Sequence, residues 1–347
     1  MKKIVIACDS YKGCLSSSEV SGAVAEGVSG VYPDCEVVRL AVADGGEGTV
    51  EALVDTLGGH LEWAEVSDPL GRPVRAAYGV AGDLAIIESA AACGLTLLTK
   101  EERNPLIATT KGLGELILAA VDKGCRRFLI GLGGSATNDG GMGMIGVEGF
   151  LAKTRGLQFT VACDVDTPYI GRNGASRVFG PQKGASGQDV EILEERLRGY
   201  ALKISEGTGI DVSDMPGAGA AGGLGGAFRA YLGAELKRGV DLVLDQIGFD
   251  SVIVGADLVI TGEGCSDYQT LKGKTAAGVL ERAGRQHIPV ALVSGAIRDE
   301  KMLRDSGFRI VEAVTPPTMS LEEAMRPETA KRLVAIATRN ILHHFCI

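Results

Sequence analysis

The sequence contains no C-x-x-C pair, no H-E-x-x-H motif and no long basic run. It also has no apolar stretch approaching the roughly 20 residues that a membrane-spanning helix needs. Each absence removes a class of function. The cysteines at positions 8, 14, 35, 93, 125, 163, 265 and 346 sit mostly inside apolar runs, so they read as small buried hydrophobes with reduced thiols. The histidines, including the adjacent His343 and His344, have no matching cysteine cluster, so no zinc site is expected. A formal charge of −9 and a pI near 5.1 argue against nucleic acid as a partner, because phosphate neutralisation needs clustered Lys and Arg. The opening MKKIVIACDS has two lysines, but its apolar part runs only from Ile4 to Cys8 before Asp9. It reads as a first strand, not a signal peptide, and a cytoplasmic location is expected, with no membrane partner.

What is present points to a large globular α/β chain. The 347 residues exceed one average domain and suggest roughly two. With 45% hydrophobic residues the chain can bury sizeable cores, and its 50 glycines fall at the ends of apolar runs with no fixed period. Short apolar runs such as KIVIACDS, RRFLIGLGGSATND, FTVACDVDTP, ADLVITGEG, IPVALVSGA and FRIVEAVTPP alternate with helical patterns. Ser16 and Glu19 have capping-box spacing, and Val50, Leu53, Val54 and Leu57 mark one helix face. Continuous apolar strands imply a mostly parallel sheet covered by helices, with ligands beyond the carboxyl ends of its strands. From His60 to Ser89 the runs shorten and no helix fits between them, which predicts a meander belonging to a second, inserted domain.

Several glycine-rich loops fall where such a site belongs. GLGGSA, Gly131 to Ala136, matches the dinucleotide fingerprint, the strongest competing reading, but TNDGGMG makes the required helix doubtful and no acidic strand end follows. KGKT, Lys272 to Thr275, fails as a P-loop because Tyr268 stands where Gly is needed. PGAGAAGG lacks the catalytic aspartate of ribokinase-like sugar kinases, since Ala220 takes its place. Two readings of Gly133, Gly134 and Ser135 remain level: an anion cradle of backbone N–H groups, with Thr137 and Asn138 as further donors, or a tight turn closing a βα unit.

The acids shift the balance. Asp9, Asp44, Glu47, Asp139, Asp164, Asp166 and Glu263 all fall at strand ends. Any one of them could be an N-cap or an Asx-turn, but the set suggests a cation. Lys12, Lys183 and Lys272 lie in similar loops and could offset phosphate charge. Together these features point to ATP-dependent phosphoryl transfer with Mg²⁺. In that scheme Asp44 and Glu47 coordinate the metal or orient substrate, Lys12 stabilises the transferring group, and Asp139 or Asp164 accepts the hydroxyl proton.

The segments DSYKG, VADGGEGT, IGLGGSATNDGGMGM, VACDVDTP, GASRVFGPQKGA, PGAGAAGGLGGAF and VITGEG…QT…GK, in this order along nearly the whole chain, resemble the bacterial glycerate kinases of type I. The resemblance implies ATP-dependent phosphorylation of D-glycerate, usually to 2-phosphoglycerate, by a cytoplasmic enzyme. It also implies a flavodoxin-like α/β domain, here expected at 1–60 and 250–347, a second α/β domain at 61–249, and a cleft flanked by both. Carried onto the quoted motifs, it implies a binding set of Asp9, Ser10, Gly45, Gly46, Glu47, Gly133, Gly134, Ser135, Thr137, Asn138, Lys183, Glu263 and Gln269, and catalytic Lys12, Asp44, Asp139 and Asp164. The sequence leaves a homodimer open. Two departures stand out: only IGVEGFLAKTRGLQ follows GMGM where the family has a longer excursion, and Cys265 and Ser266 stand where the family usually has Arg and a small or apolar residue. They keep alive an alternative in which the scaffold binds nucleotide or metabolite without turnover.

Overall fold

A computed structural model describes residues 1–46 and 48–345, so the expected metal ligand Glu47 lies outside the described residues. Numbered along the chain, the strands are β1 (Lys3–Cys8), β2 (Glu36–Ala41), β3 (His60–Ser67), β4 (Pro73–Ala81), β5 (Leu84–Glu88), β6 (Arg127–Gly131), β7 (Gln158–Ala162), β8 (Glu235–Lys237), β9 (Leu258–Gly262), β10 (Cys265–Ser266), β11 (Val290–Ser294), β12 (Ala296–Ile297) and β13 (Ile310–Ala313). The chain divides into two compact units: Met1–Asp44, Asp55–Leu57 and Val240–Ile347 form one, Gly45–Val54 and Gly58–Gly239 the other.

In the first unit five strands pair in parallel in the order β13-β11-β9-β1-β2, the central β1, β9 and β11 being apolar and buried on both faces. Within the unit this is the 2-1-3-4-5 order of flavodoxin-like sheets. Ile4 and Ile6 of β1 pack in one core with Val20 and Val24 of the helix Ser17–Ser29 and Val334 and Ile341 of the helix Pro327–Phe345. The capping box expected at Ser16 and Glu19 is formed. The strand order reverses between β1 and β9, the place where such sheets open a crevice beyond their carboxyl ends. Asp9 follows β1 there and Glu263 follows β9.

The second unit holds a six-stranded sheet in the order β3-β4-β5-β6-β7-β8. The strands β3, β4 and β5 form the expected antiparallel meander, and β5 to β8 run parallel. Its core includes stacked Phe128 and Phe159, with ring centroids 4.7 Å apart, and Leu113, Leu116 and Ile117 of the helix Lys111–Asp122.

The chain passes between units at 44/45 and 239/240, with a short return of Asp55–Leu57 to the first unit, whereas the sequence placed the two main crossings at 60/61 and 249/250. Local packing explains both. Val50 and Val54 lie so close to Gly79 of β4 that a Cβ there would stand 3.3 and 2.5 Å from them, tying the start of the helix Thr49–Leu57 to the second sheet. Residues 240–250 are tied to the first unit through Arg282, which bonds Asp245 at 2.7 Å, Asp250 at 3.1 Å and Asp241 at 3.3 Å.

Candidate functional site

At the carboxyl edge of the first sheet, Asp9 Oδ1 accepts the Ser10 N–H and Oδ2 accepts the Thr275 hydroxyl, each over 2.6 Å. Burial pushes the Asp9 carboxyl up to about 6; the Thr275 bond works against this and the nearby Asp44 charge adds to it. Lys12 is exposed in the turn that follows. Across the switch point, Glu263 Oε1 accepts the hydroxyls of Thr270 (2.6 Å) and Ser266 (3.0 Å), and Oε2 lies 3.2 Å from Lys274 Nζ. Burial alone would lower the Lys274 pKa, but the charge and hydrogen bond of Glu263, with Asp267 and Asp44 beyond, raise it. Gln269 is exposed, donating from its backbone to Asp267 and from Nε2 to the Tyr268 hydroxyl.

The lysine among these acids is therefore Lys274. Lys272, singled out from sequence, is exposed with its ammonium 5.0 Å from the Tyr268 ring centroid. Ser266, one of the departures, is also accounted for: its hydroxyl bridges Glu263 and Ser294, the latter at 2.8 Å. Cys265 forms β10 beside Ala296.

In the second unit Gly45 and Gly46 lie against the carboxyl ends of the sheet. A Cβ on Gly45 would come 2.7 Å from Ala162 at the end of β7 and 2.8 Å from Gly239, and one on Gly131 would come 2.7 Å from the Gly45 carbonyl. A Cβ on Gly133 would meet Gly46 at an easy 3.7 Å. Asp164, exposed after β7, accepts the Gly239 N–H over 2.8 Å.

The bare motif after β6 serves two purposes. Gly133 and Gly134 are exposed, and Gly134 holds φ +73°, a left-handed conformation that glycine adopts without strain. The later glycines are packing positions: added carbons on Gly140, Gly141 and Gly143 would come 2.2 Å from the Tyr169 hydroxyl, 2.4 Å from Ala227 and 2.1 Å from the Thr109 hydroxyl. The Gly-rich 220s make the complementary approach, with Gly222 against the Thr137 carbonyl.

Behind the exposed glycines lies Lys183. Its ammonium is buried, donating to Ser135 Oγ at 2.9 Å and to the Thr137 carbonyl at 2.7 Å. Burial pulls its pKa down to about 7, with Asp139 and Cys93 opposing. The sequence placed Lys183 in an open loop, but here it braces the cradle from below. The Thr137 hydroxyl and Asn138 Oδ1 are buried and unpartnered, while Asn138 Nδ2 donates to Ser176.

Asp139, expected as a proton acceptor, is committed elsewhere. Its carboxylate accepts the N–H groups of Thr110, Gly141 and Gly143 and the hydroxyls of Thr109 and Thr110, joining the start of the helix Lys111–Asp122 to the following turn. This saturated geometry gives Asp139 a structural task and does not favour the base role.

Sequence reasoning passed over Lys274, Thr275 and Glu88. Glu88 ends the apolar run LAIIE, so the strand-end rule that selected the other acids would have found it. Lys274 was hidden because the two lysines of KGK look alike until the turn is built.

A family model described as the glycerate kinase family matches residues 4–151 and 144–346. The chain is 44% identical to a protein of Bacillus subtilis (strain 168) named glycerate kinase, over 93% of this chain and 92% of that protein. It is 42% identical to the glycerate 2-kinase of Escherichia coli (strain K12), over 98% and 97%. A solved structure from Salmonella typhimurium LT2, assigned as glycerate kinase 2, superposes with a TM-score of 0.89 at 40% identity, covering 99% of this chain and 98% of that one.

Proposed function

The chain belongs to the glycerate kinase family, and from that premise we propose that it transfers the terminal phosphoryl group of ATP to the 2-hydroxyl of D-glycerate, in the cytoplasm. Phosphorylation of glycerate is the activity that the family and its named members carry. The choice of the 2-hydroxyl is supported by the name of the Escherichia coli relative. The observation that carries the reading at the level of geometry is the exposed Gly133–Gly134 backbone with the Lys183 ammonium behind it, a cradle open to an anion.

The donor set fits Mg²⁺. Among the described residues no group of three or more His, Cys, Asp or Glu could hold a metal, so no all-protein cage is offered. Mg²⁺ instead typically uses one or two carboxylates together with substrate phosphates, and the Asp9–Asp44 pair, whose mutual repulsion helps to raise the Asp9 pKa, is a place where a cation is favourable. Asp44 would hold the ion, which would neutralise charge on the phosphates.

The chain's own groups supply the rest. Asp9, at the carboxyl end of β1 with the Ser10 N–H and the Thr275 hydroxyl fixing its two oxygens, is the carboxylate proposed to accept the hydroxyl proton, in place of Asp139 or Asp164. Lys274, held by Glu263, and exposed Lys12 supply the cationic charge that phosphoryl transfer needs. A coupled assay tests the reading: ADP release that depends on D-glycerate supports it. ATP binding without turnover would instead favour a scaffold that binds without catalysing.

A further inference from the structure

Glu88 closes β5, and its carboxylate is aimed at the start of the helix Thr49–Leu57, where Oε1 accepts the Val50 N–H over 3.2 Å. The N–H groups of Thr49 and Gly48 also favour its charged form, against a burial that raises its pKa. A helix leaves its first N–H groups without partners unless a side chain caps them. Here the N-cap is Gly48, at φ +89°, which has no side chain to offer. The cap therefore comes from a different strand.

Glu88 pairs with Gly131 across the sheet, and the Ser89 N–H is bonded to the Gly131 carbonyl over 2.8 Å. Gly131 in turn admits the Gly45 carbonyl into a space that a Cβ would fill, and Gly45 lies close against Ala162 and Gly239. Gly45 is thus seated by contact with β6 and β7, and the backbone at Gly48, Thr49 and Val50 by the Glu88 carboxylate. We infer that Glu88 is a positioning residue for phosphoryl transfer, its carboxylate fixing the backbone at Gly48, Thr49 and Val50 in the conformation that the reaction uses. The inference rests on the kinase reading above and concerns a residue that does not itself touch substrate.

The test compares Glu88→Ala and Glu88→Gln in the full chain, by steady-state kinetics and by amide hydrogen exchange. Displacement of a site segment by about 1 Å can cost on the order of 100-fold in rate. Glu88→Ala should lower kcat by about 10- to 100-fold with little change in KM for ATP. It should also speed exchange at Val50, leaving the helix Lys111–Asp122 protected. Glu88→Gln, which keeps an acceptor oxygen, should recover most of the rate and of the protection. Wild-type kcat in Glu88→Ala despite faster exchange would reduce Glu88 to a structural cap and overturn the inference. So would unchanged exchange at Val50, or a Gln variant as impaired as Ala. If the wild-type chain released no ADP with D-glycerate, the kinase reading and the inference resting on it would both fall, whereas the three results above would overturn the inference alone.

Discussion

The Lys183 ammonium donates to the Ser135 hydroxyl over 2.9 Å while buried, which makes an internal side chain the brace of the loop that exposes Gly133 and Gly134. Lys183→Met removes the donor from Ser135 and from the Thr137 carbonyl. An unsatisfied buried polar group costs about 1–3 kcal/mol, so stability should fall by at least that much.

The same lysine predicts a pH dependence. Its folded pKa is pulled down to about 7, while an unfolded lysine titrates near 10.4. Between these values the unfolded chain binds the extra proton, so the contribution of this group to stability rises with pH across that window. Denaturant unfolding at pH 7.5 and 9 should show wild type gaining on Lys183→Met. Parallel curves would contradict the lowered pKa of the buried ammonium.

Asp9 carries the opposite sign. Its folded pKa of about 6 lies above the unfolded value near 3.9, so the stability it lends is full below the unfolded value and is lost as pH rises through 6. Asp9→Asn should gain stability relative to wild type between pH 4 and pH 7. If Asp9 is the base, kcat should also drop by about 10²–10⁴-fold and the acidic limb of the rate profile should disappear. A variant retaining both the limb and the rate would move the base elsewhere.

Gly134→Val forces a β-branched residue to φ +73°, with Ala90 Cβ 3.4 Å from the new carbon. A left-handed conformation costs an L-residue about 1–2 kcal/mol, and relief of that strain would move the cradle. Calorimetry of the folded variant should show weakened ATP binding. Unchanged affinity would place the nucleotide away from this loop.

The two lysines of KGK give a paired comparison. Lys274→Met should reduce kcat sharply and leave Glu263 held only by the hydroxyls of Thr270 and Ser266. Lys272→Met, losing only a contact on Tyr268, should turn over within a few-fold of wild type, a change of about 1 kcal/mol. Equal losses would show that geometry has misassigned the cation.

The parts of the fold legible in sequence were those set by local pattern. Runs such as IVIAC and VALV, apolar at every position, read as strands buried on both faces, and Ser16 and Glu19 announced their helix. The strand-end rule likewise brought out Asp9 and Glu263. What stayed hidden depends on contacts between distant segments. The motif GGSATNDGG reads as uniformly bare until Tyr169 and Ala227 are seen filling the space beside Gly140 and Gly141. Asp139 looks like any loop acid until the hydroxyls and N–H groups around Thr110 converge on it. Lys183 reads as a surface lysine until the loop from Gly133 closes over it.

The central claim is the transfer of phosphate to the 2-hydroxyl of D-glycerate, and ³¹P NMR of the reaction products reads it most directly. With ATP, Mg²⁺ and D-glycerate, the account predicts ADP and a single new phosphomonoester whose phosphorus couples to the lone proton on C2. Coupling to the two protons on C3 would contradict the assigned hydroxyl, and the absence of any new phosphomonoester would contradict the kinase itself.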